Sequence, residues 1–428
     1  METIPFLTEF IKNSPTAYHA QENVKKILLE NGFRALPWRE DWELCEGGKY
    51  FVERGAGSLI AFTVGGLDNF SYKIVAAHTD SPMLKLKENP AVKSGFGVTL
   101  NVEPYGGGAW HTFLDRPLKI AGRIVKNENG RIFSKNVESP YLVSIPSLAI
   151  HLDRTVNDGF AVNPQVDLLP LCSLNSELSN KEILEKLTGE TDVVSYDLFA
   201  VNATLPYSFG LENEFFAAPR IDNLTSVCAT LQALLSRGES DGICVAAVFD
   251  NEEIGSATAQ GADGNFLEST LKRIAYSLRF DDNEFYKALA SSFLLSVDNA
   301  HAAHPSHAEK SDPTNKTALG GGVVIKSHAK GAYITDGLSS ALFKSILTKA
   351  GVKYQTFFNR SDMRSGSTLG VAAAKHLGVL GVDLGIAQLA MHSACECFAK
   401  ADYEELLNGL TAFYSSDILA EDNGFVLG

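Results

Sequence analysis

The apolar residues of the chain follow two different spacings, and these predict where helices and strands lie. Between positions 5 and 31 they recur every three or four residues, which predicts two amphipathic helices with a break near Ser14. Apolar runs at 47–53, 58–64 and 72–77 then predict short strands. The last run is almost entirely apolar, as expected for a strand that is covered on both faces of a sheet.

The middle of the chain has a different pattern. From about 95 to 207, short β-like pieces are separated by clusters of turn residues, for example at 104–108, 127–130 and 157–159. This pattern predicts an inserted and mostly β module. The charged stretch 177–190 is predicted to be an exposed helix or loop.

After Pro219, helical stretches alternate with buried strands. The predicted helices are 223–237, 339–350 and 368–377, and the predicted strands are 243–249, 293–297, 322–325, 353–358 and 385–390. Such alternation is typical of an α/β fold, in which a mixed or parallel sheet lies between layers of helices.

Four of the predicted buried strands run into residues that can bind a metal ion. These residues are His78, the run Asp250-Asn251-Glu252-Glu253, Asp298 and His392. Ligands of open α/β sheets bind at the carboxyl ends of the strands. One such residue alone is usually an ordinary polar side chain, but four at equivalent positions predict a shared site.

The residue types in this set indicate catalytic metal chemistry. With Asp222, which precedes a predicted helix, the set holds two His and several carboxylates and lacks Cys, which suits catalytic zinc, manganese or cobalt. The adjacent Glu252 and Glu253 can act as one general base and one ligand. Asp80, two residues after His78, can fix the tautomer of this imidazole as a carboxylate that does not itself bind the metal.

Other candidates have weaker support from the sequence. The histidines at 301, 304 and 307 are interpreted as supporting residues behind the ligands rather than as ligands. Lys326 is interpreted as a surface charge or a carboxylate anchor, and His151 lies in no local motif. The segment 364–368 can present backbone amides to an anion or simply cap a helix.

Composition narrows the class of protein. The 428 residues carry a net charge of −14, which disfavours nucleic-acid binding. The apolar runs are too short for a membrane span, and the first residues lack the features of a signal peptide. The six cysteines are scattered, so we expect a reducing, cytoplasmic location.

Five sequence blocks, in this order along the chain, resemble the M18 family, the aspartyl aminopeptidase group of metallopeptidases. The blocks are AAHTDSP at 76–82, PRIDN at 219–223, FDNEEIGS at 249–256, SVDNAHAAHP at 296–305 and MHS at 391–393. The resemblance implies a phosphorylase/hydrolase-like α/β/α zinc exopeptidase domain at 1–86 and 216–428. It also implies an inserted β-rich dimerisation domain at 87–215.

The resemblance also implies roles for individual residues. The site would hold two zinc ions, which cobalt or manganese can replace. His78, Asp222 and Asp298 would bind one ion, and Asp222, Glu253 and His392 would bind the other. Glu252 would be the general base, and Asp80 would orient His78. Members of the family form dodecamers built from dimers, and His151 matches a residue that reaches a neighbour's active site, either as substrate contact or metal ligand. Lys326 matches the position associated with an acidic substrate side chain.

The expected function is therefore removal of N-terminal residues from peptides, with Asp or Glu as the leading substrates. Three alternatives remain open from the sequence. They are an M18 aminopeptidase that prefers neutral N-terminal residues, a carboxypeptidase or deacylase on the same scaffold, and a non-catalytic assembly protein. Cleavage of free but not N-acetylated peptides distinguishes an aminopeptidase from the second alternative.

Overall fold

A computed structural model describes residues 3–428 of the chain. Ten α-helices, numbered in chain order, occupy α1 Thr3–Lys12, α2 Ala17–Glu30, α3 Pro164–Asp167, α4 Asn180–Thr188, α5 Ile221–Ser236, α6 Phe266–Ser277, α7 Asp282–Ala290, α8 Gly337–Lys349, α9 Leu369–Leu377 and α10 Lys400–Tyr414 within that range. The break between α1 and α2 falls at Ser14, as predicted.

The strands of the described chain form four sheets. In chain order they are β1 Arg34–Ala35, β2 Lys49–Arg54, β3 Ser58–Val64, β4 Tyr72–His78, β5 Met83–Ser94, β6 Gly97–Tyr105, β7 Leu118–Glu128, β8 Arg131–Val143, β9 Leu171–Ser173, β10 Val193–Asn202, β11 Tyr207–Phe209, β12 Phe215–Ala218, β13 Ile243–Phe249, β14 Phe293–Val297, β15 Ala300–His301, β16 Val323–Lys326, β17 Tyr354–Phe357, β18 Leu380–Gly385, β19 Ala387–Leu389, β20 Glu396–Ala399, β21 Ile418–Glu421 and β22 Gly424–Leu427.

The largest sheet has nine strands in the order β1-β2-β3-β13-β4-β14-β18-β16-β17. Its central strands β13, β4, β14 and β18 are parallel, so their carboxyl ends meet at one edge. This arrangement is the predicted mixed sheet of an α/β fold.

Helices cover both faces of this sheet. Successive side chains of a strand point to opposite faces. In β13, Cys244, Ala246 and Val248 therefore belong to the hydrophobic core that includes residues of α1, α2, α5, α8 and α10. Val245 and Ala247, on the other face, belong to the core that includes residues of α6, α7 and α9. The result is the three-layer α/β/α architecture expected from the sequence.

The middle of the chain forms a separate antiparallel sheet. Its six strands lie in the order β8-β7-β10-β5-β6-β9 and have a hydrophobic core of their own. The six strands lie between positions 83 and 202. Five of them fall inside the stretch 95–207 predicted to be mostly β, whereas β5 precedes it. The charged stretch 177–190 contains helix α4, whose first turn has a capping box made by Ser179 and Glu182.

A third sheet corrects one sequence prediction. The predicted strand 385–390 is wrong, because the apolar run splits into β18 of the main sheet and β19 of a five-stranded sheet ordered β11-β12-β20-β19-β15. His392 therefore follows β19 rather than a strand of the main sheet. Across residues 3–428, no helix is both long enough and apolar enough to span a membrane.

Candidate metal centre

Three elements of the main sheet deliver side chains to one edge. His78 is the last residue of β4, Asp298 directly follows β14, and Glu252 and Glu253 lie in a 3-10 helix, Glu252–Ile254, just after β13. Since these three strands are neighbours and parallel, their ends bring the side chains together. Asp222 arrives from the start of α5, where its backbone is not helical and its peptide bond to Asn223 is cis.

The first group of side chains surrounds the Nε2 atom of His78. Asp222 Oδ1 lies 3.4 Å from this nitrogen and Asp298 Oδ1 lies 3.6 Å from it. All three residues are buried. One ligand atom from each lies within 4.8 Å of the others, so the three can hold one metal ion.

The second group is centred on His392. Its Nε2 atom lies 3.4 Å from Asp222 Oδ2 and 3.3 Å from Glu253 Oε1. These three residues also meet the geometric requirement for an ion. Asp222 belongs to both groups and directs one carboxylate oxygen to each.

Hydrogen bonds on the far side of both imidazoles orient them toward these carboxylates. His78 Nδ1 lies 3.1 Å from the carbonyl oxygen of Asp80 and 3.4 Å from its Oδ1. His392 Nδ1 lies 2.8 Å from the carbonyl oxygen of Gly107. When Nδ1 carries the proton and donates to these oxygens, Nε2 is free to bind a metal in both residues.

Asp80 also holds the turn that carries the two glutamates. Its Oδ1 accepts the backbone N–H of Glu252 at 3.1 Å, and its Oδ2 accepts that of Glu253 at 3.1 Å. The hydroxyl of Tyr105 donates to Oδ2 at 2.8 Å. Asp80 therefore fixes His78 and the Glu252–Glu253 turn relative to each other.

The electrostatics of the site favour a bound cation. Burial lowers the pKa of His78, but Asp222, Asp298 and Asp80 outweigh it and raise that pKa well above its usual value. Burial, opposed by His78 and reinforced by Asp298, raises the pKa of Glu252 to about 8. Burial also raises the pKa of Glu253 well above its usual range. So many carboxyl groups at close quarters repel each other, and a divalent ion relieves that repulsion.

Two buried oxygen atoms test whether the residues fit metal ions. Within the described chain, Asp222 Oδ1 and Glu253 Oε1 are buried and accept no hydrogen bond. Burying a carboxylate oxygen without a partner costs free energy, and coordination to a metal ion would offset that cost. Since each belongs to one of the two groups, the donor set fits two metal ions bound by imidazole and carboxylate.

The groups open into a cavity of ≈ 500 Å³. Its lining includes His78, Asp222, Glu252, Asp298, His392, Lys326, His301, Tyr333, Phe357 and Thr368. The interpretation of Lys326 as a surface charge is wrong, because the residue is 2% exposed and its Nζ lies 3.6 Å from Asp298 Oδ2. This ammonium group also donates to the carbonyl oxygen of Asn299 at 3.2 Å.

The four other histidines considered in the sequence belong to neither metal group. His301 lines the cavity, where partial loss of hydration and the charge of Lys326 lower its pKa. His304 and His307 are exposed and pack against each other, with ring centroids 5.1 Å apart. His151 is exposed in the loop that follows β8. In the segment 364–368, Thr368 precedes α9 and its hydroxyl donates to Asp383 rather than capping the helix.

Glu396 is one of the residues at this centre that the sequence did not indicate. Glu396, the first residue of β20, is 2% exposed and accepts the backbone N–H groups of Asp222 and His392. It stands between two cysteines in the sequence and has no motif around it that indicates such a contact.

Comparison with known proteins gives consistent results. The family model described as aminopeptidase I zinc metalloprotease (M18) matches residues 10–414. A relative from Clostridium acetobutylicum, named "Probable M18 family aminopeptidase 2", is 41% identical over 423 residues, covering 96% of this chain and 98% of the relative.

Two solved structures are similar over nearly the whole chain. A chain in the cryo-EM structure of the Ape4 and Nbr1 complex matches with a TM-score of 0.90 and 33% identity, covering 96% of this chain and 85% of that one. The S. cerevisiae mApe1 dodecamer matches with a TM-score of 0.80 and 25% identity, covering 96% of each chain.

Proposed function

This chain belongs to the M18 family of zinc metallopeptidases and is a metallo-aminopeptidase, and we propose that it works through a two-zinc centre bridged by Asp222. One zinc would be held by His78, Asp222 and Asp298, and the other by Asp222, Glu253 and His392. The observation that carries the proposal is the division of the Asp222 carboxylate, whose two oxygens face two different imidazoles at 3.4 Å each.

The bound zinc would supply Lewis acidity, which polarises the scissile carbonyl and lowers the pKa of a bound water to about 7. We assign the general base to Glu252, because its carboxylate faces the same cavity, 3.9 Å from His78 Nε2. It takes a proton from the water and returns it to the leaving amine. Asp80 keeps Glu252 in place through its backbone N–H.

We further propose that Lys326 selects an acidic N-terminal residue. Its ammonium group is buried at the cavity wall, where it pairs with Asp298. A substrate carboxylate in this cavity gains a charge-assisted hydrogen bond from Lys326 and is protected from water. With a neutral substrate side chain, the ammonium group of Lys326 would still have Asp298 and Asn299 as partners. We therefore expect neutral substrates to be cleaved more slowly than Asp or Glu substrates rather than to be excluded.

The same family relation supports self-association, as a dodecamer built from dimers. The part of the chain that carries His151 exposes large apolar side chains, including Leu148 at 67%, Leu152 at 76% and Leu174 at 85%. Exposed apolar groups of this kind favour burial against another surface. We propose that the 87–215 domain pairs with a second copy and that His151 reaches the neighbour's cavity as a substrate contact or metal ligand.

Hydrolysis of a panel of aminoacyl-nitroanilides tests the proposed activity. Metal-free protein is assayed alone and after addition of zinc, manganese or cobalt, with N-acetylated substrates as controls. Metal-dependent release from Asp and Glu substrates in preference to Leu supports both the centre and the role of Lys326. Preference for Leu overturns the acidic specificity and leaves the mechanism standing, whereas absence of cleavage with every metal overturns the mechanism.

A further inference from the structure

We propose that Glu396 is a positioning residue that fixes the spacing between the two metal-binding groups. The inference rests on the ligand set of the proposed function, and it concerns a residue that touches none of the reacting atoms. Its basis is a set of hydrogen bonds that join the backbones of two ligand-bearing segments through one buried carboxylate.

The topology of the five-stranded sheet places Glu396 between these segments. Strand β20 lies between β12 and β19 and is antiparallel to both, so β12 and β19 end at the edge where β20 begins. The chain leaves β12 toward Asp222 and leaves β19 toward His392. Glu396 is the first residue of β20, where it pairs with Ala218 at the end of β12.

Each oxygen of Glu396 holds one of the two segments. Oε2 accepts the backbone N–H of Asp222 at 2.9 Å, and Oε1 accepts that of His392 at 2.7 Å. Hydrogen bonds to a carboxylate are about twice as strong as those between neutral groups. Glu396 therefore links the residue that belongs to both metal groups with the imidazole of the second group.

The backbone of His392 needs such support. Its φ of 64° lies in the left-handed region, which non-glycine residues rarely occupy without compensating contacts. The Glu396 carboxylate holds the N–H of His392, while Gly107 holds its side chain. With both contacts in place, Nε2 points toward Asp222 and Glu253.

A buried polar chain extends from Glu396 toward the first metal group. Gln388 Nε2 donates to Glu396 Oε1 at 3.3 Å, and Asn299 Nδ2 donates to Gln388 Oε1 at 2.7 Å. Asn299 directly follows Asp298, a ligand of the first group. One connected set of hydrogen bonds thus reaches Asp222, His392 and the neighbour of Asp298.

Asp402 offers a matched control for this interaction. It is 0% exposed, and its two oxygens accept the backbone N–H groups of Gly320 and Gly322 at 2.8 Å each. Its interaction is therefore of the same kind, a buried carboxylate that holds two backbone amides, but it holds none of the proposed ligands. An effect that comes only from lost stability will appear in both D402N and E396Q.

The experiment measures zinc affinity and stoichiometry of purified wild type, E396Q, E396A and D402N, with circular dichroism and melting temperature as the check on folding. Partners behind metal ligands typically contribute about tenfold to a hundredfold in affinity. We expect E396Q to bind the zinc ion of the second group about tenfold more weakly than wild type, and E396A to bind it more weakly still. In both variants, kcat should fall by a larger factor than KM changes. D402N is expected to lower the melting temperature and to keep both affinities.

Two results would overturn the inference. One is a folded E396Q protein that keeps both zinc ions at wild-type affinity, and the other is an equal loss of zinc affinity in D402N. The wild-type measurement separates this inference from the proposed function, because a wild type that binds only one zinc contradicts the two-zinc centre itself. If E396A fails to fold, the comparison between E396Q and D402N still decides the question.

Discussion

At the scale of single residues, the carboxylates of the centre differ in the groups that they contact. Asp222 divides its oxygens between two imidazoles, whereas Asp80 accepts the backbone N–H groups of both Glu252 and Glu253. The adjacent glutamates differ in their surroundings, since Glu253 lies 3.3 Å from His392 and Glu252 faces His78 at 3.9 Å. Position, rather than residue type, separates the proposed ligand from the proposed base.

The substitution Glu252→Gln tests whether Glu252 is the general base and not a metal ligand. Removing the base while keeping the size and the backbone N–H of the residue should reduce kcat by about 10²-fold to 10⁴-fold. Zinc content should stay at the wild-type level, because Glu252 is not a proposed ligand. Steady-state kinetics and metal analysis check both expectations.

Glu253→Gln is the control for that variant. It removes a proposed ligand and should lower zinc content as well as activity. Wild-type turnover in the Glu252 variant, or loss of zinc from it, would contradict the role assigned to this residue.

The sequence identified these side chains more completely than the contacts behind them. His78, Asp298 and the Glu252–Glu253 pair follow apolar strands, and that position is visible in the sequence. Glu396 is not visible in this way, because its contact with Asp222 spans 174 residues. The carbonyl of Gly107 contacts His392 across 285 residues, and a backbone group has no residue type to recognise.

At the scale of elements, the main sheet was predictable because its strands are buried on both faces. The strands β4, β13 and β14 are buried along their whole length, and their sequences are mostly apolar. The wrong prediction of a single strand at 385–390 also comes from an apolar pattern. An apolar run that passes from one sheet into another has no change of period at the crossing, so β18 and β19 could not be separated by pattern alone.

Helix α2 carries a histidine whose protonation should affect stability. His19 Nδ1 lies 2.9 Å from Thr16 Oγ1, and its Nε2 lies 3.9 Å from Glu138 Oε1 on β8. Burial lowers the pKa of His19, with Arg220 and Lys119 acting in the same direction and Glu138 and Glu22 opposing.

The unfolded chain therefore binds more protons than the folded chain at pH values below about 6.5, the usual pKa of histidine. We expect the free energy of unfolding to fall as the pH is lowered through this window, and to fall less in H19Q. Urea unfolding of both proteins at pH 7.5 and 5.5 measures the difference. Identical pH dependence in the two proteins would contradict the expectation.

At the scale of the whole molecule, the three layers and the separate six-stranded sheet meet around one cavity. The segment that ends β6 supplies Tyr105, which donates to Asp80, and Gly107, which contacts His392. The β-rich part of the chain therefore contributes directly to the centre. The boundaries 1–86, 87–215 and 216–428 stay a prediction, which limited proteolysis of the intact protein can test.

Removal of metal should lower the stability of the whole protein. A ligand that binds only the folded state stabilises it by about 4 kcal/mol when its concentration is a thousand times its Kd. Chelation should therefore lower the melting temperature, and zinc should restore it. Calorimetry before and after dialysis against a chelator makes the measurement, and an unchanged melting temperature would contradict the binding of metal by these buried groups.

The most direct test of the two-zinc centre is titration of zinc into metal-free wild type and D222N, with hydrolysis of a free aminoacyl-nitroanilide followed at each step. Wild-type activity should reach its plateau only at the second equivalent of zinc, and D222N should stay inactive in excess zinc. A plateau at the first equivalent, or wild-type activity in D222N, would contradict the bridging role of Asp222.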